Sequence, residues 1–209
     1  IAPVGPANDV AVAAATTTWG VTAVGADTSL FTGDGIIVAI LDTGIDDTHP
    51  AFTGVELVQH DFTGEGNGDQ HGHGTHCAGT VFGRNVGDMR IGVATGVTKA
   101  LIGKVLGARG GSSDQIVKAI QWAVDGGASV ISMSLGMDFP GLVAELIDQG
   151  YPADIATSLA LEGYRANVTL FERLASLIRA QGAFAPPTLL IAAAGNESRR
   201  GDNPDFEVA

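Results

Sequence analysis

An aspartate and a histidine in this chain stand in settings that suit proton transfer. Asp42 closes the apolar run Ile37-Val-Ala-Ile-Leu-Asp42 and is followed by Thr43-Gly44. His73 lies between Gly72 and Gly74 and opens the stretch Thr75-His-Cys-Ala-Gly-Thr-Val81. A carboxylate at a strand end can accept a hydrogen bond from an imidazole Nδ1–H, which fixes the tautomer and stabilises the ring once it takes a proton. With an ordinary pKa of about 6.5, histidine is the natural shuttle for that proton at neutral pH. Such a pair is two parts of a nucleophilic catalyst. The third part, a serine in a nucleophile's setting, does not follow: after Asn196 the only serine is Ser198.

Each residue also has other readings. An aspartate after a strand commonly caps a turn. Asp-Thr-Gly is also the signature of aspartic proteases, but those need two such acids sharing a proton, and the chain has one. His71, His73 and His76 are clustered as zinc ligands can be, yet two of them would have to converge with a third group. His76, beside Cys77 and Ala78 on an apolar helix face, reads as a core histidine. Cys77 reads as a small buried hydrophobe and not a catalytic thiol. Being single, it also excludes an internal disulfide.

The elements that would position these residues alternate in type. Residues 35–41 form a continuous β-branched run, the pattern of a strand buried on both faces. Further strands are predicted at 100–106, 129–133 and 188–194, and a short helix at 73–83. Ser112-Ser-Asp-Gln115 opens a helix with Ile116, Ile120 and Ala123 on one stripe, and Gly126-Gly127 ends it. Another helix is predicted over 168–180. Strands separated by helices imply parallel pairing with helices on both faces of the sheet. Residues 138–166, with Pro140 and Pro152, break the rhythm. They read as an insertion of one or two short helices beside the carboxyl end of a strand, where ligands bind in open parallel sheets.

Composition narrows the partners. A net charge of −12 repels phosphate backbones and anionic lipid, which argues against nucleic acid and membrane. No apolar run approaches the ~18 residues of a membrane span. The start at Ile1 reads as a processed or recombinant mature form, and Phe206-Glu-Val-Ala209 as a cut within a loop.

Four ordered motifs then converge. Asp42-Thr-Gly-Ile-Asp46 with His49-Pro50, the histidine motif at 71–81, Ser132-Met-Ser-Leu-Gly136 and Ala192-Ala-Ala-Gly-Asn-Glu197 resemble the subtilisin-like serine proteases in content and order. Trp19-Gly-Val21 resembles that family's mature N-terminus. The resemblance implies a three-layer α/β fold with a central, mostly parallel sheet, incomplete at its C-terminal side in this chain. It implies that residues 1–209 are the N-terminal part of one peptidase domain, with the insertion at 138–166.

The resemblance also implies a serine endopeptidase working through an acyl-enzyme. Asp42 would orient His73, His73 would act as general base and then acid, and Asn196 would donate its amide to the oxyanion. Ser134, Leu135 and Gly136 would wall the pocket for the side chain before the scissile bond. Met137 stands where the family often has another glycine. Gly110 would offer backbone groups to an extended substrate by strand addition. The expected partners are a polypeptide substrate and a C-terminal segment carrying the nucleophilic serine, and the expected location is secreted or extracytoplasmic. No cofactor is implied beyond calcium as a structural ion, for which Asp46-Asp47 and residues 84–90 are the regions to inspect. Without the serine, the alternative is an inactive fragment or a pseudoprotease that binds peptides without cleaving them. Asn167-Val-Thr169 also fits a glycosylation sequon.

Overall fold

Alternation along one strand divides the molecule's interior in two. In β1 (Ile37–Asp42), Val38 and Ile40 face one side of the sheet while Ala39 and Leu41 face the other, and all four are buried. A strand can bury both faces only at the centre of a sheet covered twice, and β1 sits there. The computed structural model describes residues 16–183, 186–196 and 201–202. Besides β1 these hold β2 (Glu56–Asp61), β3 (Lys99–Lys104), β4 (Val130–Met133) and β5 (Leu189–Ala192). The spatial order is β2-β3-β1-β4-β5, and every neighbouring pair is parallel.

Helix α2 (His73–Phe82) covers one face. Its Ala78 and Phe82 pack with Val38, Ile40, Ala100 and Ile102 and with Phe52 from the 3-10 turn Pro50–Phe52. On the other face, α3 (Ser113–Asp125) lays Ile116, Ala119, Ile120 and Ala123 against Ala39, Leu41, Leu101 and Ile131. The expected Ser112 start is a complete capping box: the Ser112 hydroxyl accepts from the Gln115 amide, and the Gln115 side chain accepts from the Ser112 amide. The result is the three-layer α/β arrangement expected, with the sheet parallel throughout.

Three elements differ from the sequence reading. Strand β2 was not expected, because Glu-Leu-Val-Gln-His-Asp lacks an apolar run; as an edge strand it is covered less on both faces. The short α1 (Trp19–Ala23) also escaped the periodicity. Residues 138–166 form one short helix of the one or two expected, but not a second. They hold α4 (Phe139–Asp148) and the first half of α5 (Ala153–Gln181), a single 29-residue helix that absorbs the one expected at 168–180.

The physical reason is continuity of register. Ala156 and Ala160 are buried, and α4 packs along α5, while Leu174 and Ile178 reach the core beside α3. Nothing between them breaks the helix, since a lone Gly163 costs only about 1 kcal/mol. The Ser113 hydroxyl donates to Asn167 Oδ1, and Asn167 Nδ2 donates to Gly163 O at 2.9 Å, so the sequon's acceptor side chain is committed inside a helix. Among the described residues, no helix is long and apolar enough to cross a membrane.

Candidate active site

Because all five strands run the same way, the segments after β1, β3, β4 and β5 leave the sheet at its carboxyl end. That end gathers the residues singled out from sequence: Asp42, Gly110, Ser134–Gly136 and Asn196. Asp42 is the last residue of β1 and is 1% exposed. Its carbonyl accepts the Val105 and Leu106 amides at 2.8 and 3.1 Å, which pins the strand end to the segment following β3. One side-chain oxygen, Oδ1, accepts the Thr43 amide at 2.7 Å and lies 2.7 Å from His73 Nδ1. A carboxylate only accepts, so Nδ1 carries the hydrogen of that bond. The other oxygen, Oδ2, is buried without a hydrogen-bond partner among the described residues.

His73 is the first residue of α2, and 43% of its side chain is exposed. Two glycines make the approach possible. A Cβ on Gly74 would fall 2.2 Å from Gly44 O, 3.1 Å from Thr43 Oγ1 and 3.2 Å from Asp42 Cβ. Gly44, at φ 106°, would put a Cβ 2.2 Å from Gly68 O. The helix start and the Asp-Thr-Gly loop therefore touch backbone to backbone.

Sequence reasoning missed the residue that ties the two together. The Asp69 carboxylate accepts from Thr43 Oγ1 (2.9 Å), His71 N (3.0 Å), Gly72 N (2.8 Å), Thr75 N (2.9 Å) and Thr75 Oγ1 (2.6 Å). Burial alone would raise its pKa, but the bonds from Thr75, Gly72 and Thr43 outweigh it and hold the carboxyl far below the usual carboxylate range. The only sequence signal was an acid shortly before a glycine-flanked helix start. Lys104 was missed too. It is 5% exposed, with Nζ 3.4 Å from Gly68 O and 3.7 Å from Glu65 Oε2, while Glu65 Oε1 accepts the Ala108 amide at 2.9 Å.

Behind the histidine, Cys77 Sγ is 3.8 Å from His73 Nδ1. Burial pushes the thiol's pKa up, the Asp42 charge adds to this, and a hydrogen bond with Ser134 opposes it. A raised thiol makes a poor nucleophile at neutral pH, in keeping with a packing role. His76 overturns its core reading: it is exposed, because the buried face of α2 is made by Gly74, Ala78, Gly79 and Phe82. It lines an apolar cavity of about 760 Å³ between α1 and α2, together with Trp19, Phe52 and Ile91. His71 is likewise exposed, with its ring centroid 6.2 Å from that of His73.

Asp42, His73 and Cys77 are the one group among the described residues whose ligand-type atoms lie within 4.8 Å of one another. Since Nδ1 there is already bonded to Asp42, a resident metal would break the pair. Neither stretch named for calcium holds three or more ligand-type side chains converging within 4.8 Å among the described residues, as a cage of oxygens would need. Asp46 is bonded to Thr48 and Asp47 to Gln59, while Arg84 and Arg90 donate to the nearby carbonyls of Thr95, Val97, Gly92 and Val93.

Gly110 lies in the loop after β3, where its N–H donates to Gly107 O and its C=O accepts from Gly107 N, both at 3.0 Å. Ser134 and Leu135 follow β4 half-buried, while Gly136 and Met137 are exposed. Asn196 is exposed just past β5. Glu197, Ser198 and residues 206–209 lie outside the described residues, as do residues 1–15.

The Subtilase family is matched over residues 33–208, and the chain belongs to it. Subtilisin Savinase of Lederbergia lenta is 38% identical over 134 residues, covering 61% of this chain and 48% of the relative. The Major intracellular serine protease of Bacillus subtilis (strain 168) is 39% identical over 112 residues, covering 50% of this chain and 35% of that protein. The chain thus spans about half or less of the length of these relatives. Fervidolysin from Fervidobacterium pennivorans, described as a keratinolytic enzyme related to subtilisin, has a structure that aligns with 55% of this chain and 19% of its own, at 30% identity and a TM-score of 0.47. The Major intracellular serine protease is by its name a serine protease, and fervidolysin is described as related to subtilisin.

Proposed function

We propose that this chain carries the acid, the base and the oxyanion donor of an endopeptidase that cleaves polypeptides through an acyl-enzyme. The observation that carries the reading is the 2.7 Å bond between buried Asp42 and half-exposed His73. Asp42 holds the Nδ1–H tautomer, which leaves Nε2 to take a proton from an attacking hydroxyl and return it to the leaving amine. Asp42 stabilises the imidazolium formed between the two transfers. Asn196 donates its side-chain amide to the tetrahedral oxyanion; losing one such donor costs about 10²–10³ in kcat, a figure that comes from subtilisin itself. Ser134, Leu135 and Gly136 wall the pocket for the residue before the scissile bond.

The nucleophilic serine comes from polypeptide outside these 209 residues, and this chain alone does not hydrolyse peptides. In support, no serine hydroxyl is among the hydrogen-bond partners of His73 within the described residues. The edge strand β5 leaves Leu189 and Ile191 58% and 46% exposed, where a further segment of the same domain would pair. Residues 138–166 decorate that domain beside the pocket wall. The location is secreted or extracytoplasmic, as the name of the Minor extracellular protease Vpr of Bacillus subtilis (strain 168), 38% identical over 120 residues, suggests, and unlike what the name of the Major intracellular serine protease says of that relative.

Denaturing intact mass spectrometry with fluorophosphonate labelling tests the reading. A second polypeptide that co-purifies and takes the label, and loses it in His73→Ala, is the expected result. Label uptake by this chain alone would refute the missing serine. A lone unlabelled chain that binds peptides would leave a binding protein in place of an enzyme.

A further inference from the structure

We infer that Asp69 is the positioning carboxylate of this site, a clasp that holds the loop after β1 and the first turn of α2 in the one register where Asp42 reaches His73. The inference rests on the reading of that pair as catalytic, but its geometry can be tested without any turnover.

The first turn of a helix leaves its backbone amides without partners, and the N-cap of α2 is Gly72, which has no side chain to supply one. Asp69 does so from outside, accepting the amides of His71, Gly72 and Thr75. A negative charge at that end also complements the helix dipole. Its two hydroxyl partners then join the halves reciprocally. Thr43, on the strand side, donates to Asp69 and accepts the Gly74 amide of the helix at 2.9 Å. Thr75, on the helix side, donates to Asp69 and accepts the Asp46 amide of the strand loop at 2.9 Å.

Because a carboxylate only accepts, both hydroxyls must aim their hydrogens at Asp69, and each is thereby turned to receive an amide from the opposite side. Asparagine cannot replace it. With its NH₂ at the Oδ2 position it would face the Thr75 amide, and at the Oδ1 position the His71 and Gly72 amides, so either flip sets donor against donor. Lys104 braces the same loop from below through Gly68 O.

The test is proton NMR of the His73 Nδ1–H in this chain. Bonded to a buried carboxylate, that proton resonates far downfield and exchanges slowly with water. In Asp69→Asn its exchange with solvent is expected to quicken by about tenfold or more, as charge-assisted bonds are lost around it. A folded Asp69→Asn chain with unchanged exchange would overturn the inference. Should that variant not fold, Thr75→Val and Thr75→Ser carry the test: the first loses the hydroxyl and the slow exchange, the second keeps both. Equal signals in the two would also overturn it. If Asp69→Asn loses the resonance while no serine is ever captured by fluorophosphonate, the clasp stands and hydrolysis falls.

Discussion

Replacing Gly74 by alanine sets two opposing effects against each other. Alanine in a helix is worth up to about 1 kcal/mol over glycine. The added Cβ, however, would meet Gly44 O at 2.2 Å, whereas unstrained contacts between such atoms need roughly 3.4 Å or more. The first turn of α2 must then retreat by roughly 1 Å, which carries the 2.7 Å Asp42–His73 bond beyond the ~3.2 Å at which it ceases to count. Overpacking typically costs about 1–3 kcal/mol, and leaving a buried carboxylate short of a donor adds about 1–3 kcal/mol. Net destabilisation of roughly 1–5 kcal/mol follows, a fall in Tm of about 2–20 °C for a chain this long. Calorimetry on this chain measures the fall, and the downfield His73 resonance should vanish with it. In an assembled protease, loss of the tautomer-setting bond would cost about 10⁴ in kcat. A Gly74→Ala chain within about 0.5 kcal/mol of wild type, with the resonance intact, would refute the claim that backbone contact sets the pair's spacing.

Other outcomes follow from the same geometry. Cys77 should react with iodoacetamide more slowly than a free thiol at pH 7, and Asp42→Asn should speed it by removing a charge that raises the thiol's pKa; rates measured against pH decide this. The stability that Asp69 confers over Asp69→Asn should be full above its unfolded pKa of about 3.9 and decline only as pH falls toward the depressed folded value. Denaturant midpoints for the two should therefore differ by a constant amount from pH 5 to 8, and a gap that widens or closes in that window would contradict it. Ser112→Ala should lower stability by about 1 kcal/mol through the lost capping box, read from urea unfolding.

What could be read from sequence was what depends on neighbours along the chain. The β-branched runs became β1, β3, β4 and β5, and Ser112 with Gly126-Gly127 bounded α3, because capping and turn chemistry are local. Asp42 and His73 were legible because each sits at the end of an element and beside glycines that permit close approach. Asp69 was not: its five bonds come from residues on both sides of an interface that exists only after folding. Strand β2 was hidden for a related reason, since an edge position relaxes the apolar pattern that marks a strand. His76 was misread because a cysteine and an alanine beside it do not say which way a short helix is turned. The length of α5 was missed because Pro152 marks its start, while the residues between 160 and 170 offered no signal to join two helical stretches.

Strand parity gives the site a sensitivity of its own. Val38 and Ile40 face α2, and Asp42, two residues on, inherits that side. Which face the acid sees is decided by an even count of residues and not by its identity. Deleting or inserting a single residue within β1 would turn Asp42 toward α3, exchange the two cores' side chains, and leave every motif intact in the written sequence. Two residues would restore the face but slide the acid by about 6.6 Å along the strand, out of reach of His73. The strand should thus tolerate changes of letter far better than changes of length, and a relative with one residue more or fewer there has lost the pair whatever its motifs spell.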